Sequence, residues 1–399
     1  MLDFEANVNT QNSNNILKTK IAANQQSLNS QTESEIKTET KSTKKNKADE
    51  NHRIESANSE STESSANLED FAECVKLASE CKAEAAKRLI GQTHVIDAIL
   101  TALIAEGHIL LEGVPGLAKT LAVKTFAEIA GIDFKRIQFT PDLLPADVSG
   151  TLIYEQTSGK FSVRKGPIFT NIVLADEINR SPAKVQSALL EAMAEKQVTI
   201  GDETYKLPEP FLVLATQNPI EQEGTYNLPE AELDRFLLKI VVPYPSAREE
   251  VQIVKTSGRA DEIPVRKILT AEKLKKARNL IESVVCDEKI IEYIVSIVAV
   301  TRSSSEKKSN GKIAVSALKK NDITKYISFG ASPRAGIALL RCAKVNAMFS
   351  GRSFVLPDDV VKSALCVLRH RLVLSYEAAA DGITADEIIT QILSFVPAP

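Results

Sequence analysis

Gly113-Val114-Pro115-Gly116-Leu117-Ala118-Lys119-Thr120 decides the reading of this chain. The apolar run His108-Ile109-Leu110-Leu111-Glu112 precedes it as a buried strand, and Leu121 to Ala130 follows with a helical pattern. Strand, glycine loop and helix with Lys-Thr at the helix start is an arrangement that cradles phosphate. Backbone N–H groups of the loop and the helix N-terminus offer partial positive charge to an anion. Lys119 adds a full charge at the β- and γ-phosphates, and the Thr120 hydroxyl suits Mg²⁺. Ala118 stands where glycine is commoner. The expectation is that it takes the right-handed conformation of a helix start, which keeps the cradle.

The 399 residues are 43% hydrophobic and 25% charged with a formal net charge of −3. This is globular composition, with enough length for two or three domains. The near-neutral balance makes no case for nucleic-acid binding. Five cysteines, odd in number and without CxxC pairing, read as reduced thiols. Four histidines show no metal-ligand spacing, so a dedicated transition-metal site is not expected. No apolar run approaches the roughly 20 residues that span a bilayer, and the N-terminus lacks a signal-peptide core. The expectation is a cytoplasmic protein without membrane insertion.

Residues 1–66 are rich in Asn, Gln, Ser, Thr, Lys and Glu and read as a disordered polar tail. From Leu68 apolar residues recur at helical spacing, broken at Ile90-Gly91-Gln92. Beyond the glycine loop, strands are expected at Phe134–Phe139, Asn171–Glu177, Pro210–Asn218 and Leu237–Val242. Helices are expected at Lys184–Glu195 and Glu230–Phe236, and hairpins at Thr151–Arg164 and Gln197–Lys206. Nearly all-apolar strands alternating with helices mean a parallel sheet covered on both faces, with ligands at the carboxyl ends of its strands. The expected α/β core covers residues 67–246. From Ala247 the strand signal fades, and 247–399 reads as a smaller, separate, all-helical domain. Its helices are expected at Ala271–Ser283, Glu288–Thr301, Ala335–Phe349, Asp358–Leu374 and Ala385–Phe395, with Ser303–Lys320 an exposed insertion.

Lys119, the Asp176-Glu177 pair and Asn218 all fall at or just beyond expected strand ends. Asp176 is placed to hold Mg²⁺, and Glu177 to orient and deprotonate an attacking water. Surface Asp-Glu pairs are common and usually idle, but here an apolar run leads into the pair. Asn218 can reach a γ-phosphate and that water; alone, it could equally cap a turn before Pro219. Arg235 and Arg334 are candidate transition-state cations, since arginine stays charged and grips phosphate oxygens with a planar fork. On composition alone either would be a surface ion pair.

With these residues assembled, residues 68–399 resemble an AAA+ ATPase of the MoxR family, a P-loop NTPase core followed by a helical lid. Gly113–Thr120 corresponds to the Walker A loop, with Ala118 in the family's pattern, and Ile172–Glu177 to Walker B. Thr216-Gln217-Asn218-Pro219 corresponds to sensor 1, Leu228–Phe236 to the arginine-finger segment and Gly330–Arg334 to sensor 2. Ala175–Arg180 and Leu368-Arg369-His370-Arg371-Leu372 are similar to two further family signatures. The resemblance implies ATP with Mg²⁺, and Gly91 and Gln92 near the adenine. It also implies a hexameric ring in which Arg235 acts on a neighbour's nucleotide while Arg334 reports from the lid. The two hairpins become client-facing elements at the pore or surface, and the partners protein clients, often with von Willebrand factor A domains. The function implied is chaperone-like remodelling that matures or activates those clients. A nucleotide-gated scaffold that holds its client without mechanical work is the alternative. A GTP-driven or DNA-directed ring is a weaker rival, because no basic stripe with interleaved aromatics is present.

Overall fold

A computed structural model describes residues 69–219, 224–256, 259–302 and 322–399, all within one compact unit, Leu68–Pro399. The expected tail and the Ser303–Lys320 insertion lie outside the described residues. A helix over 69–85 (α1) leads to α2 (Thr93–Ile104) and β1 (Ile109–Glu112). The phosphate-loop stretch follows, then α3 (Lys119–Ala130), β2 (Phe134–Gln138) and α4 (Pro145–Ser149). An exposed antiparallel hairpin, β3 (Gly150–Glu155) and β4 (Lys160–Lys165), carries the tilted ring pair Tyr154 and Phe161, centroids 5.3 Å apart. After β5 (Ile172–Asp176) and α5 (Ala183–Glu195) comes a second hairpin, β6 (Gln197–Ile200) and β7 (Glu203–Lys206). The core closes with β8 (Leu212–Gln217), α6 (Glu230–Leu233) and β9 (Leu238–Val241).

The main sheet is parallel, in the order β2-β5-β8-β1-β9. Its three central strands are buried on both faces, which is why they read as continuous apolar runs; the edge strand β2 mixes buried and exposed positions. Burying each Val, Leu or Ile side chain there contributes about 1.5–3 kcal/mol.

The C-terminal part comprises α7 (Ala247–Lys255), α8 (Ala271–Ser283), α9 (Glu288–Val300), α10 (Pro333–Phe349), α11 (Pro357–Leu368), α12 (Tyr376–Asp381) and α13 (Ala385–Phe395). It is helical but not wholly so: β10 (Ile327–Phe329) and β11 (Val373–Leu374) form a short antiparallel ribbon. The helix expected through Leu374 ends at Leu368, because the chain turns away to pair Val373 with Phe329. Nor do these helices form a core apart. One apolar cluster runs from Phe71 and Ile99 through Phe126 to Leu339, Val367 and Ile392. Among the described residues no helix is long and apolar enough to cross a membrane.

His108, at the foot of β1, ties these layers together. Its Nδ1 accepts from Val213 N at 3.0 Å, so the proton sits on Nε2, which donates to the Met193 carbonyl at 3.2 Å. Its own carbonyl accepts from Leu237 N at 2.8 Å. Burial pushes the His108 pKa down to about 4. The unfolded chain, with an ordinary histidine near 6.5, takes up the proton first. The stabilisation is therefore complete above about pH 6.5 and is lost as pH falls toward 4, a swing of order 3 kcal/mol. Urea titrations at pH 7 and pH 4.5 should show His108→Gln losing less stability on acidification than wild type; equal losses would contradict this assignment.

Candidate functional site

The carboxyl ends of β5, β8 and β1 lie side by side. Gln138 pairs with Asp176 across β2 and β5, Ala175 with Ala215 across β5 and β8, and Thr216 with Leu111 across β8 and β1. Asp176, the last residue of β5, and Thr216, next to last in β8, thus lie at one level, and the loop begins two residues beyond Leu111, where Gly113 N donates to the Gln217 carbonyl at 3.3 Å. Inserting β8 between β1 and β5 sets the Asn218 turn between the glycine loop and the Asp-Glu pair. Asn218 is buried, beside a polar cleft of about 510 Å³ whose lining includes Glu112, Asn179, Gln217 and Asn227.

In the loop, Gly116 takes φ +84° with open space where a Cβ would stand. Ala118 corrects the expectation above: it is left-handed, at φ 54° and ψ 23°. This turn leaves α3 without a side-chain cap, so the first N–H groups of the helix remain for an outside acceptor. Lys119 Nζ donates to the Gly113 carbonyl at 2.6 Å, folded back across the loop. Burial lowers its pKa, while Asp176, Glu177 and Glu112 pull in the opposite direction. Thr120 is the second residue of α3. Gln92 is buried and its Nε2 donates to the Leu117 carbonyl at 2.7 Å, which joins the segment before α2 to the loop. Gly91 takes φ +76°, a conformation strained for any residue with a side chain, and a Cβ there would push against the Glu249 carboxylate.

A single hydroxyl organises the carboxylates. Thr216 Oγ1 donates to Asp176 Oδ1 at 2.6 Å and accepts from Glu177 N at 2.8 Å. Glu177 is held at φ 59°, a left-handed conformation that costs about 1–3 kcal/mol for a residue other than glycine. Its Oε2 accepts from Gln138 Nε2 at 2.8 Å and faces Arg180 Nε at 3.2 Å. Arg136 reaches Asp176 Oδ2 from the edge strand, at 2.9 Å through Nε and 2.7 Å through Nη2. The Asp176 carboxylate thus already faces one cation, and with Arg136 displaced it would offer, together with the Thr120 hydroxyl, the hard oxygen donors that suit Mg²⁺.

Lys119, Asp176, Glu177 and Asn218 therefore share one rim with the whole Gly113–Thr120 loop and Gln92. Arg235 and Arg334 do not join them. Both are exposed at the opposite end of the sheet, lining a cleft of about 400 Å³ with His108, Lys196, Arg341 and Arg371. Five residues separate His108 from Gly113, about 16 Å at a strand rise of about 3.3 Å per residue. Arg334, expected to report from the lid, thus lies with Arg235 at the end of the sheet away from its own chain's glycine loop. Reading the sequence alone assigned no role to Arg136 or Gln138, and placed Thr216, Asp234 and Arg371 within family motifs without a function of their own, because their contacts depend on strand order and on where the lid meets the core.

A family model described as the ATPase family associated with various cellular activities (AAA) matches residues 108–238, and one described as an AAA lid domain matches residues 320–392. Chaperone MoxR1 of Mycobacterium tuberculosis is 45% identical over 316 residues, 79% of this chain and 81% of that protein. Protein MoxR of Methylorubrum extorquens is 31% identical over 334 residues, covering 79% of this chain and 93% of that protein. Among solved structures, a Cytophaga hutchinsonii protein provisionally assigned as an ATPase superposes with a TM-score of 0.76. It is 47% identical and covers 84% of this chain and 99% of its own.

The left-handed turn at Ala118 makes a sharp demand on side-chain shape. Ala118→Gly should keep nucleotide affinity within about threefold. Ala118→Val, β-branched at positive φ, should weaken it at least about tenfold, or 1.4 kcal/mol. Equilibrium titration with a fluorescent ATP analogue reads both, and equal affinity in the two variants would remove the turn from the account.

Proposed function

This chain belongs to the MoxR family of AAA+ ATPases, and on that premise we propose that it is a Mg²⁺-dependent ATP hydrolase. In this reading it assembles as a ring, by family resemblance a hexamer, and uses turnover to remodel and mature client proteins. The observation that carries the reading is the meeting of Lys119, Asp176, Glu177 and Asn218 at one rim of the sheet. Groups supplied by three different strand ends are what phosphoryl transfer to water needs, because its catalysis is mostly positioning and charge stabilisation.

On binding, the triphosphate replaces the Gly113 carbonyl as the partner of Lys119, and the uncapped N–H groups of α3 take its oxygens. Asp176 and Thr120 are the residues that would hold Mg²⁺, which neutralises charge on the β- and γ-phosphates when bound. Arg136 has to leave Asp176 for that to happen. Glu177 is the general base, and turning its carboxylate away from Gln138 and Arg180 frees it to take the proton of an attacking water. Asn218, one residue past the end of β8, positions that water and the γ-phosphate. Gly91 and Gln92 flank the purine side of the loop. Arg235 and Arg334 face the wrong way for their own nucleotide, which supports a role for both on the nucleotide of the next subunit. Arg334 thus joins Arg235 in trans.

The exposed hairpin β3–β4, with Phe161 68% exposed beside Tyr154, suits contact with a protein client. Proteins with von Willebrand factor A domains are the client class this reading favours. Clients caught by a Glu177→Gln trap in the presence of ATP would bear on that choice.

Glu177→Gln should still bind ATP but turn it over at least about a hundredfold more slowly, since it removes the base and leaves the cradle. Turnover equal to wild type in a steady-state phosphate-release assay would refute the hydrolytic assignment. Client maturation supported equally by this variant would favour the holding scaffold over remodelling.

A further inference from the structure

The Leu368–Leu372 stretch has no part in the chemistry above, yet it makes a dense set of polar contacts. It leaves the end of α11 and meets the segment that carries Arg235. Arg371 Nε binds Asp234 Oδ1 at 2.8 Å, Nη2 donates to the Phe236 carbonyl at 2.6 Å, and Nη1 reaches the Leu237 carbonyl at 3.2 Å. His370 Nε2 adds a second contact to the Phe236 carbonyl at 2.9 Å. Arg369, paired with Asp386 at 2.7 Å, reaches the Lys239 carbonyl at 3.2 Å. Arg371 lies almost wholly buried, its side chain 3% exposed.

Asp234, the anchor of that pair, also holds the lid. Its Oδ2 accepts from Ser332 Oγ at 2.8 Å and lies 3.8 Å from Arg334 Nη1. Ser332 in turn caps the helix that begins at Pro333. One carboxylate, on the residue before Arg235, therefore grips both Arg371 and the cap of the helix carrying Arg334. Both arginines are themselves exposed, Arg334 with 65% of its side chain in solvent, while Arg235 Nη1 donates to the Leu190 carbonyl at 3.4 Å. The buried fork of Arg371 is what fixes the backbone beneath them.

We infer that Arg371, through Asp234, is a positioning residue that locks Arg235 and Arg334 into one two-arginine unit presented to the nucleotide of an adjoining subunit. The inference rests on the trans reading of Arg235 given above. A lysine at 371 keeps the charge but cannot serve a carboxylate and two carbonyls with one planar group. Misplacing the unit by about 1 Å costs of order 10²-fold in rate without touching the subunit's own phosphate loop.

The test mixes subunits. Homomeric Arg371→Lys should lose of order 10²-fold in kcat with KM within about twofold of wild type. Mixed with Lys119→Ala, which cannot bind its own phosphates but has both arginines in place, it should regain at least tenfold over either variant alone. A general folding defect could not be rescued in this way. Arg235→Ala mixed with Lys119→Ala is the control for the trans reading itself. Rescue in that control but none for Arg371→Lys, nor for Asp234→Asn carried through the same mixing should Arg371→Lys fail to assemble, overturns the positioning role alone. No rescue in the control overturns the trans reading and the inference with it. Homomeric Arg371→Lys turning over within about twofold of wild type also sinks the inference.

Discussion

One buried hydroxyl holds the catalytic rim together. Thr216 Oγ1 donates its proton to Asp176 and accepts the backbone N–H of Glu177, so the carboxyl ends of β5 and β8 are tied together. The tie works only because β8 lies between β1 and β5; in a sheet with those two adjacent, Asn218 would have no place between loop and carboxylates. It also holds Glu177 in a left-handed turn that the residue would not keep unaided. A small buried network of this kind is worth more than its separate bonds, since losing one member leaves the others unpaired away from water.

The two ends of the sheet carry opposite kinds of apparatus. At the carboxyl end stand the glycine loop and the carboxylates, with a polar partner on each key side chain: the Gly113 carbonyl on Lys119, Arg136 on Asp176, Gln138 on Glu177. The amino end gathers cations. Lys196 is neutralised there by Glu106 at 3.0 Å and Arg371 by Asp234, while Arg235 and Arg334 stay exposed. On the proposed trans reading, a chain built this way carries its own phosphate-binding groups at one end and offers its exposed arginines to a second copy from the other. Because the apolar cluster runs unbroken into the lid helices, movement at one end has a packed route to the other.

Much of this was legible in the sequence because apolar strands that end on polar residues advertise a ligand rim. The runs into Glu112, Asp176 and Asn218 could be placed on one sheet without knowing its strand order. The order itself was not legible, and so the partners it creates, Arg136 and Gln138 on an edge strand, went unseen. Ala118 was read as right-handed because alanine prefers it; the loop's closure overrides that preference. Which end of the sheet the lid helix bearing Arg334 meets is not legible in a linear chain. The helix expected through Leu374 stops at Leu368 because the arginines after it are spent on the Asp234–Lys239 segment and on Asp386. By contrast, α7 was missed although Ser246 and Glu249 form a capping box that could be read directly.

The central claim is that separate strand ends meet around one triphosphate. A structure of the Glu177→Gln protein with ATP and Mg²⁺ tests it most directly. The account predicts the γ-phosphate within hydrogen-bonding distance of Lys119 and Asn218, with Asp176 facing the metal and Arg136 withdrawn. Nucleotide bound elsewhere, or phosphates out of reach of Lys119 and Asn218, would contradict it.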